Sequence, residues 1–202
     1  MKEDLQKLIG TNEKILYEGK PDKKTFIFEG IFNPLLPFAL IWALFDSLFL
    51  GAALMDGEKG FLMFLVPFLL LHMMPVWIYL AGALFAIRRY KNTEYVVTDH
   101  AIYVTEGIFT KNFKTKPFAE LSHVDLKRGI FDQMFNVGDI VVSSNQASAE
   151  NGVRSISINS ISNYAEVYNI VKKLQEDIYT DVMYPNDKRP DENHGYRTKY
   201  KG

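Results

Sequence analysis

Cysteine is absent from the 202 residues. Disulfides, thiol nucleophiles and thiolate-bound metals are therefore excluded. Charge of one sign is lacking too: 23 Lys and Arg stand against 24 Asp and Glu, a formal net charge of −1. A nucleic-acid binder would show a basic stripe, so no nucleic-acid partner is expected. No Asn-x-Ser/Thr acceptor occurs. The opening MKEDLQKLIGTNEK is charged throughout, with no apolar core and no small-residue cleavage site, so no cleavable signal peptide is expected. Also missing are a P-loop, a Gly-x-Ser-x-Gly elbow, a His-Glu-x-x-His motif and a paired-cysteine metal site. His100 and His123 have no ligand spacing and read as turn and surface residues. No enzyme activity, no catalytic residue, no metal and no cofactor is expected.

What the chain does contain is two long apolar runs, Phe32–Met55 and Phe61–Ile87. At about 1.5 Å per residue each spans roughly 36–40 Å, against a hydrocarbon core of about 30 Å. Neither run has a polar face that could meet water. They read as a transmembrane hairpin: a cytoplasmic N-terminal segment (1–31), a first span (32–55), an external turn (56–60) and a second span (61–87). The turn, DGEKG, holds one Lys and two acids. Lys20, Lys23 and Lys24 precede the first span, and Arg88, Arg89 and Lys91 follow the second. Basic residues at span ends mark the cytoplasmic side. The expectation is a multi-pass protein of the cytoplasmic membrane with both termini in the cytoplasm.

Pro34 and Pro37 fall near the start of the first span, where a missing N–H costs little. Pro67 and Pro75 lie inside the second and are expected to bend it. FIFEGIF, Phe26–Phe32, reads either as an interfacial segment or as an early start of the first span. Asp46 and His72 are the strongly ionisable side chains well inside the spans. Counted from the turn at 1.5 Å per residue, Asp46 lies about 18 Å down one arm and His72 about 21 Å down the other. An antiparallel hairpin brings them to one depth, where an unpaired charge costs several kcal/mol. An intramembrane polar pair is expected, as a structural clasp or as part of a proton or ion relay.

From Tyr95 the pattern turns to short strands rich in β-branched and aromatic residues. EYVVT and AIYVTEGIF are parted by Asp99-His100, and TKN (Thr110–Asn112) reads as a second turn, with Asn112 suited to positive φ. FKTKPF, LSHVDLKR, GDIVVSS and VRSISINSI follow as strands, the last two joined through the loop NQASAENG. SNYAEVYNIVKKLQEDIY is helical: Tyr164, Val167, Tyr168, Val171, Leu174 and Ile178 recur at helical spacing, and Asn163 with Glu166 forms a capping pair. This predicts a domain over 92–181, a small barrel or sandwich closed by a C-terminal helix, and a disordered tail over 182–202.

The segments EKILYEGKP (Glu13–Pro21), the two-span hairpin, YVVTDHAIYVTEGIF and FAELSHVDLKRGIFDQMFNVGDIVV resemble the bacterial pleckstrin-homology-like membrane proteins of the YdbS type. Asn136 departs from that pattern, standing where the family commonly has Gly. The resemblance covers roughly Glu13–Ile178. It implies an α+β membrane protein: a two-helix transmembrane hairpin plus a cytoplasmic pleckstrin-homology-like split barrel with a C-terminal helix. It implies no catalytic residues.

The basic residues Arg88, Arg89, Lys91, Lys114, Lys116, Lys127 and Arg128, together with Lys111, are candidate lipid-headgroup contacts. Three functions follow in order of expectation. The first is a non-enzymatic, membrane-tethered module that assembles with itself or with other membrane proteins, offering strand edges and polar strand faces. The second is binding or handling of anionic lipid headgroups. The third is a small transport component using Asp46 and His72. Membrane lipids are partners in each.

Overall fold

The computed structural model describes residues 5, 7–57, 59–144 and 155–183. The described chain forms two compact units, one of residues Ile27–Arg88 and one built from the residues before and after it. The loop expected over 145–152 and the tail beyond 183 lie outside the described residues.

The second unit holds seven strands in two antiparallel sheets. The first sheet has the order β1 (Ile15–Gly19), β2 (Glu94–Thr98), β3 (Ala101–Glu106), β4 (Asn112–Pro117). The second has the order β5 (His123–Lys127), β6 (Gly138–Ser143), β7 (Ser155–Ile161). The expected barrel is thus two separate sheets and does not close. Nor is the domain confined to 92–181. β1 comes from the N-terminal segment and pairs with β2, Gly19 facing Tyr95, so the hairpin is inserted between two neighbouring strands of one sheet.

The strand residues explain the pairing. On the inner face Tyr95, Val97, Ile102 and Val104 meet Ile140, Val142, Ile156 and Ile158 in one core, with Val167, Val171 and Leu174 added from the C-terminal helix. Side chains alternate across a strand, so Val96, Ala101 and Tyr103 point the other way. They are buried as well, under Leu5 and Ile9. Double-sided cover is why EYVVT and AIYVTE are apolar almost throughout. Glu13 secures this outer layer: its carboxylate accepts from Thr98 Oγ1 at 2.7 Å and from the Tyr103 hydroxyl at 2.9 Å. Burial, and then the hydrogen bond and charge of Glu13, push the Tyr103 hydroxyl up to about 12.

The turns follow from backbone demands. The β3–β4 turn takes its positive φ at Gly107 (φ 143), where a Cβ would overlap the Thr110 carbonyl. Asn112, expected to bend, opens β4 instead. LSHVDLKR contracts to β5 because Leu121 is drawn into the core behind a 3-10 turn, Phe118–Glu120. IFDQMF forms a short helix, named α5 below (Ile130–Phe135), that ends at Asn136 in the left-handed conformation, φ 53. Asn is the residue after Gly that best tolerates this conformation, which explains the departure at this position. A bulge in β7 opposite Asp139 places buried Ser160 at φ 54, held by its N–H donating to Asp139 Oδ1 at 2.7 Å. The Asn163 side chain accepts from Ser162 Oγ at 3.2 Å.

The apolar unit contains the rest of α1 (Lys23–Ile31), then α2 (Leu35–Asp56), α3 (Lys59–His72) and most of α4 (Met74–Asn92). FIFEGIF therefore belongs to a helix of its own. Asn33 separates it from α2, donating to Gly30 O at 2.8 Å and accepting from Leu35 N at 2.9 Å. α2 ends at Gly57, φ 75, and returns as α3, with Ala53 against Leu65 and Leu69. α2 is long and apolar enough to cross a membrane. The second run is not one helix: α3 and α4 meet at a break with a bend of 47°. Pro75 causes it, because it lacks the N–H that Leu71 O would accept. Pro67 stays within a continuous α3.

The C-terminal helix, α6 (Tyr164–Met183), runs slightly past the expected boundary. Leu174→Ala is expected to cost about 2–5 kcal/mol in denaturant unfolding of the full chain, and Lys172→Ala, on the exposed face, less than about 0.5 kcal/mol. Similar losses in both would mean the helical face is misassigned.

Asp139 offers a pH test. Burial chiefly raises its carboxyl above the ordinary value, with Asp132 adding to this; the Ser160 N–H and Lys127 act the other way. Between the ordinary and the raised value the folded state binds more protons, so this group's contribution to stability falls as pH rises through that window. Asp139→Asn keeps an acceptor for Ser160. It is expected to be more stable than the parent near neutral pH and to lose that advantage in acid. A variant destabilised equally at both pH values would refute the assignment.

Candidate functional site

Asp46 and Trp42 lie four residues apart on one face of α2, and His72 ends α3. The antiparallel pairing that sets Ala53 against Leu65 brings these ends together. His72 Nδ1 lies 2.8 Å from Asp46 Oδ1. Asp46 is 3% exposed and His72 is partly exposed. The imidazole stacks with Trp42, ring centroids 4.9 Å apart, and with Phe68 at 5.3 Å. The faces of two π systems and a carboxylate thus surround one imidazole.

The same residues close the helix break. Val76 N donates to Met73 O, so His72 O has lost its helical donor. Trp42 Nε1 donates to it at 2.7 Å. Trp77 Nε1 donates to Leu70 O at 3.0 Å. Both tryptophans of the chain therefore serve carbonyls beside the Pro75 break. The Tyr79 hydroxyl likewise donates to Ile31 O at 3.0 Å, at the end of α1. Asp46 and His72 were legible from depth alone. Trp42 and Trp77 were not singled out. The signal was present: the chain has two tryptophans, one in each apolar run, and Trp77 stands two residues after Pro75.

One polar atom stays unanswered. Asp46 Oδ2 is buried and has no hydrogen-bond partner among the described residues. Beside it a groove of about 130 Å³ runs between α2 and α3, lined by Ser47, Leu50, Val66, Leu69 and Met73.

The candidate headgroup residues do not converge. Arg128 is committed to structure: Nε donates to Val137 O at 2.8 Å, and the guanidinium lies 4.5 Å from the centre of the Tyr164 ring. Lys116 is buried and bonds Glu120 and Ser144, each at 3.1 Å. Lys114 pairs with Glu106. Arg89 lies over the Phe26 ring, 5.0 Å from its centre. Lys127 faces Asp139 across the β5–β6 pair. Lys91 lines a small hollow at the end of the first sheet, and Arg88 belongs to the helical unit. Among the described residues no group of three or more His, Cys, Asp or Glu could hold a metal ion.

A double-mutant cycle tests the pair. Asp46→Leu and His72→Leu are each expected to destabilise the protein in detergent, and the double variant to recover part of the loss, with a coupling on the order of 1 kcal/mol. Additive losses would mean that the contact carries no energy.

Compared with known proteins, the chain matches the family model described as "Bacterial PH domain" over residues 45–175. The matched span begins within α2, includes α3, α4 and β2 to β7, and leaves out β1. No curated protein matches the chain, and no solved structure does.

Proposed function

Because the chain belongs to the bacterial PH domain family, we propose that it is a membrane-tethered, non-enzymatic interaction module, holding its two-sheet domain at the cytoplasmic face and assembling there with itself or with other membrane proteins. PH-like domains in general are non-catalytic modules that bind lipids or proteins. The observation that carries the tethered reading is the insertion of the hairpin between paired strands. Thr93 alone separates α4 from β2, and Lys20–Asp22 separate β1 from α1. Asp22 caps α1 by accepting from Thr25 N at 2.9 Å, and its own N–H donates to Ser160 O. Both arms of the hairpin thus connect to neighbouring strands of one sheet.

The exposure of α2 supports a lipid surrounding. Ile41, Leu44 and Leu48 are each more than 60% exposed, which suits hydrocarbon and not water. In this reading α2 and the bent α3–α4 pair are the two crossings, and both termini are cytoplasmic. For assembly the outer edge of β5 is the favoured surface. It ends its sheet, and its side chains other than Val124 are exposed. His123, Asp125 and Lys127 discourage indiscriminate strand pairing and leave a polar face to select a partner. Headgroup recognition is less well supported, since most of its candidate residues are held by internal contacts. Transport is less well supported because aromatic rings pack against His72.

Two measurements test this. In intact cells a cysteine at Gly60 should react with an impermeant thiol reagent from outside, and one at Gln133 only after permeabilisation; the reverse pattern would overturn the topology. In native membranes a photo-crosslinking residue at Asp125 should give protein adducts that one at Lys172 does not. Adducts from neither position, or equally from both, would overturn β5 as the assembly surface.

A further inference from the structure

We infer that the groove between α2 and α3 is a docking site, inside the bilayer, for a second copy of this chain, in which the Ser47 hydroxyl of each copy donates to Asp46 Oδ2 of the other. This rests on reading α2 as membrane-crossing, and it gives self-assembly a second surface besides the β5 edge.

The site begins at the carboxylate oxygen that the polar pair leaves over. His72 meets Asp46 Oδ1 at 2.8 Å. Asp46 Oδ2 is buried without a hydrogen-bond partner, on a side chain 3% exposed. In hydrocarbon no solvent supplies a donor, and a bare acceptor is costly. A donor has to enter between the helices, and the groove of about 130 Å³ beside Asp46 is where there is room. Apart from Asp46 and Ser47 its lining is apolar, with Leu50, Val66, Leu69 and Met73 among the residues that form it. A buried water makes about three hydrogen bonds. Two polar side chains hold one poorly.

α2 carries a donor in the place where a copy of itself would need it. Ser47 follows Asp46, so it lies about 1.5 Å along the axis and about 100° around it. Successive residues of a helix do not face each other, so Ser47 does not serve its own Asp46. It does stand at nearly the same depth. Copies inserted with one topology run parallel, and a two-fold axis along the membrane normal sets like residues at like depth. Ser47 of one copy then meets Asp46 of the other, and the exchange is reciprocal, as a two-fold contact requires. Each copy brings one acceptor that lacks a donor and one hydroxyl that supplies it.

The hydroxyl can turn at little cost. Ser47 Oγ donates to Ala43 O at 2.7 Å. That carbonyl also accepts from Ser47 N in the ladder of α2, so it keeps a donor when the hydroxyl leaves. The helix surface permits the approach as well. Ala43, Ser47 and Gly51 recur every four residues, and the last two are exposed. A Cβ built at Gly51 meets nothing within 4 Å. Small residues at this spacing let two helix backbones come close in lipid. The small residues allow the contact, and the unanswered Oδ2 selects what fills it.

The absence of cysteine makes crosslinking direct. Leu54 stands seven residues after Ser47, on the same side of α2, and Ala52 lies about 200° around from Leu54. Both are exposed. In native membranes holding the full chain, oxidation of Leu54→Cys with copper phenanthroline should give a disulfide-linked homodimer severalfold above that of Ala52→Cys. Ser47→Ala added to Leu54→Cys should lower the yield severalfold, and Ser47→Thr, which keeps a hydroxyl, should retain most of it. Equal yields at 52 and 54 would overturn the inference. So would a yield indifferent to Ser47→Ala, or a Thr variant as deficient as the Ala variant. A disulfide to a different protein in place of the homodimer overturns the second copy as occupant and leaves assembly with other membrane proteins standing. Gly60→Cys separates the two readings. If it reacts from outside and no homodimer forms, the docking site alone fails. If it does not react from outside, the membrane-crossing reading fails, and the docking site with it.

Discussion

Pairing of β1 with β2 is the constraint on which the rest of the molecule depends. Gly19 faces Tyr95, so the two arms of the apolar hairpin start from adjacent points on one sheet. Without β1 the first sheet would lose an edge, and Glu13 would lose the register that lets it accept from Thr98 and Tyr103. The outer face would also open, since Leu5 and Ile9 reach it on the same N-terminal segment. Hydrophobic burial stabilises both faces of β2 and β3, but the ladder decides which residues are available to be buried.

Within the helical unit the corresponding constraint is satisfaction of backbone carbonyls. Proline in a helix leaves an acceptor without a donor, and in an apolar surrounding water does not replace it. On either side of that acceptor, Leu71 O, the indole N–H groups of Trp42 and Trp77 donate to the carbonyls of His72 and Leu70. Trp42 also stacks on His72, which meets Asp46. Bend and polar pair are therefore one local arrangement: the residue whose carbonyl is freed at the break is the residue whose ring meets the carboxylate. Relief of one buried polar group is tied to relief of the next.

Local pattern accounts for much of what could be read in advance. The bounds of β2 follow from β-branched residues and a turn pair, and the buried stripe of α6 follows from helical spacing. The depth shared by Asp46 and His72 is arithmetic on an antiparallel hairpin. Other features had no local signature. β1 is five residues with a mixed exposure pattern, and only its partner across the hairpin makes it a strand. α5 is too short for periodicity to show, and its cap is a backbone conformation at Asn136. Lys114 and Lys116 share a face by alternation, yet Glu106 and Glu120 occupy them.

The sequence by itself determined composition-level properties and everything with a short period: the absence of thiol chemistry, two apolar runs long enough to span a bilayer, alternating strands and an amphipathic last helix. These depend on each residue and its near neighbours, where the spacing of side chains is set by helix or strand geometry alone. The tertiary structure alone decided that two sheets form and do not close, that β1 joins across the hairpin, that Pro75 rather than Pro67 breaks the second run, and that most candidate lipid-binding cations are held by internal contacts. Each is a choice among partners distant in the chain. Such choices turn on which buried polar groups find a donor or acceptor once the core has closed, and no local pattern encodes that.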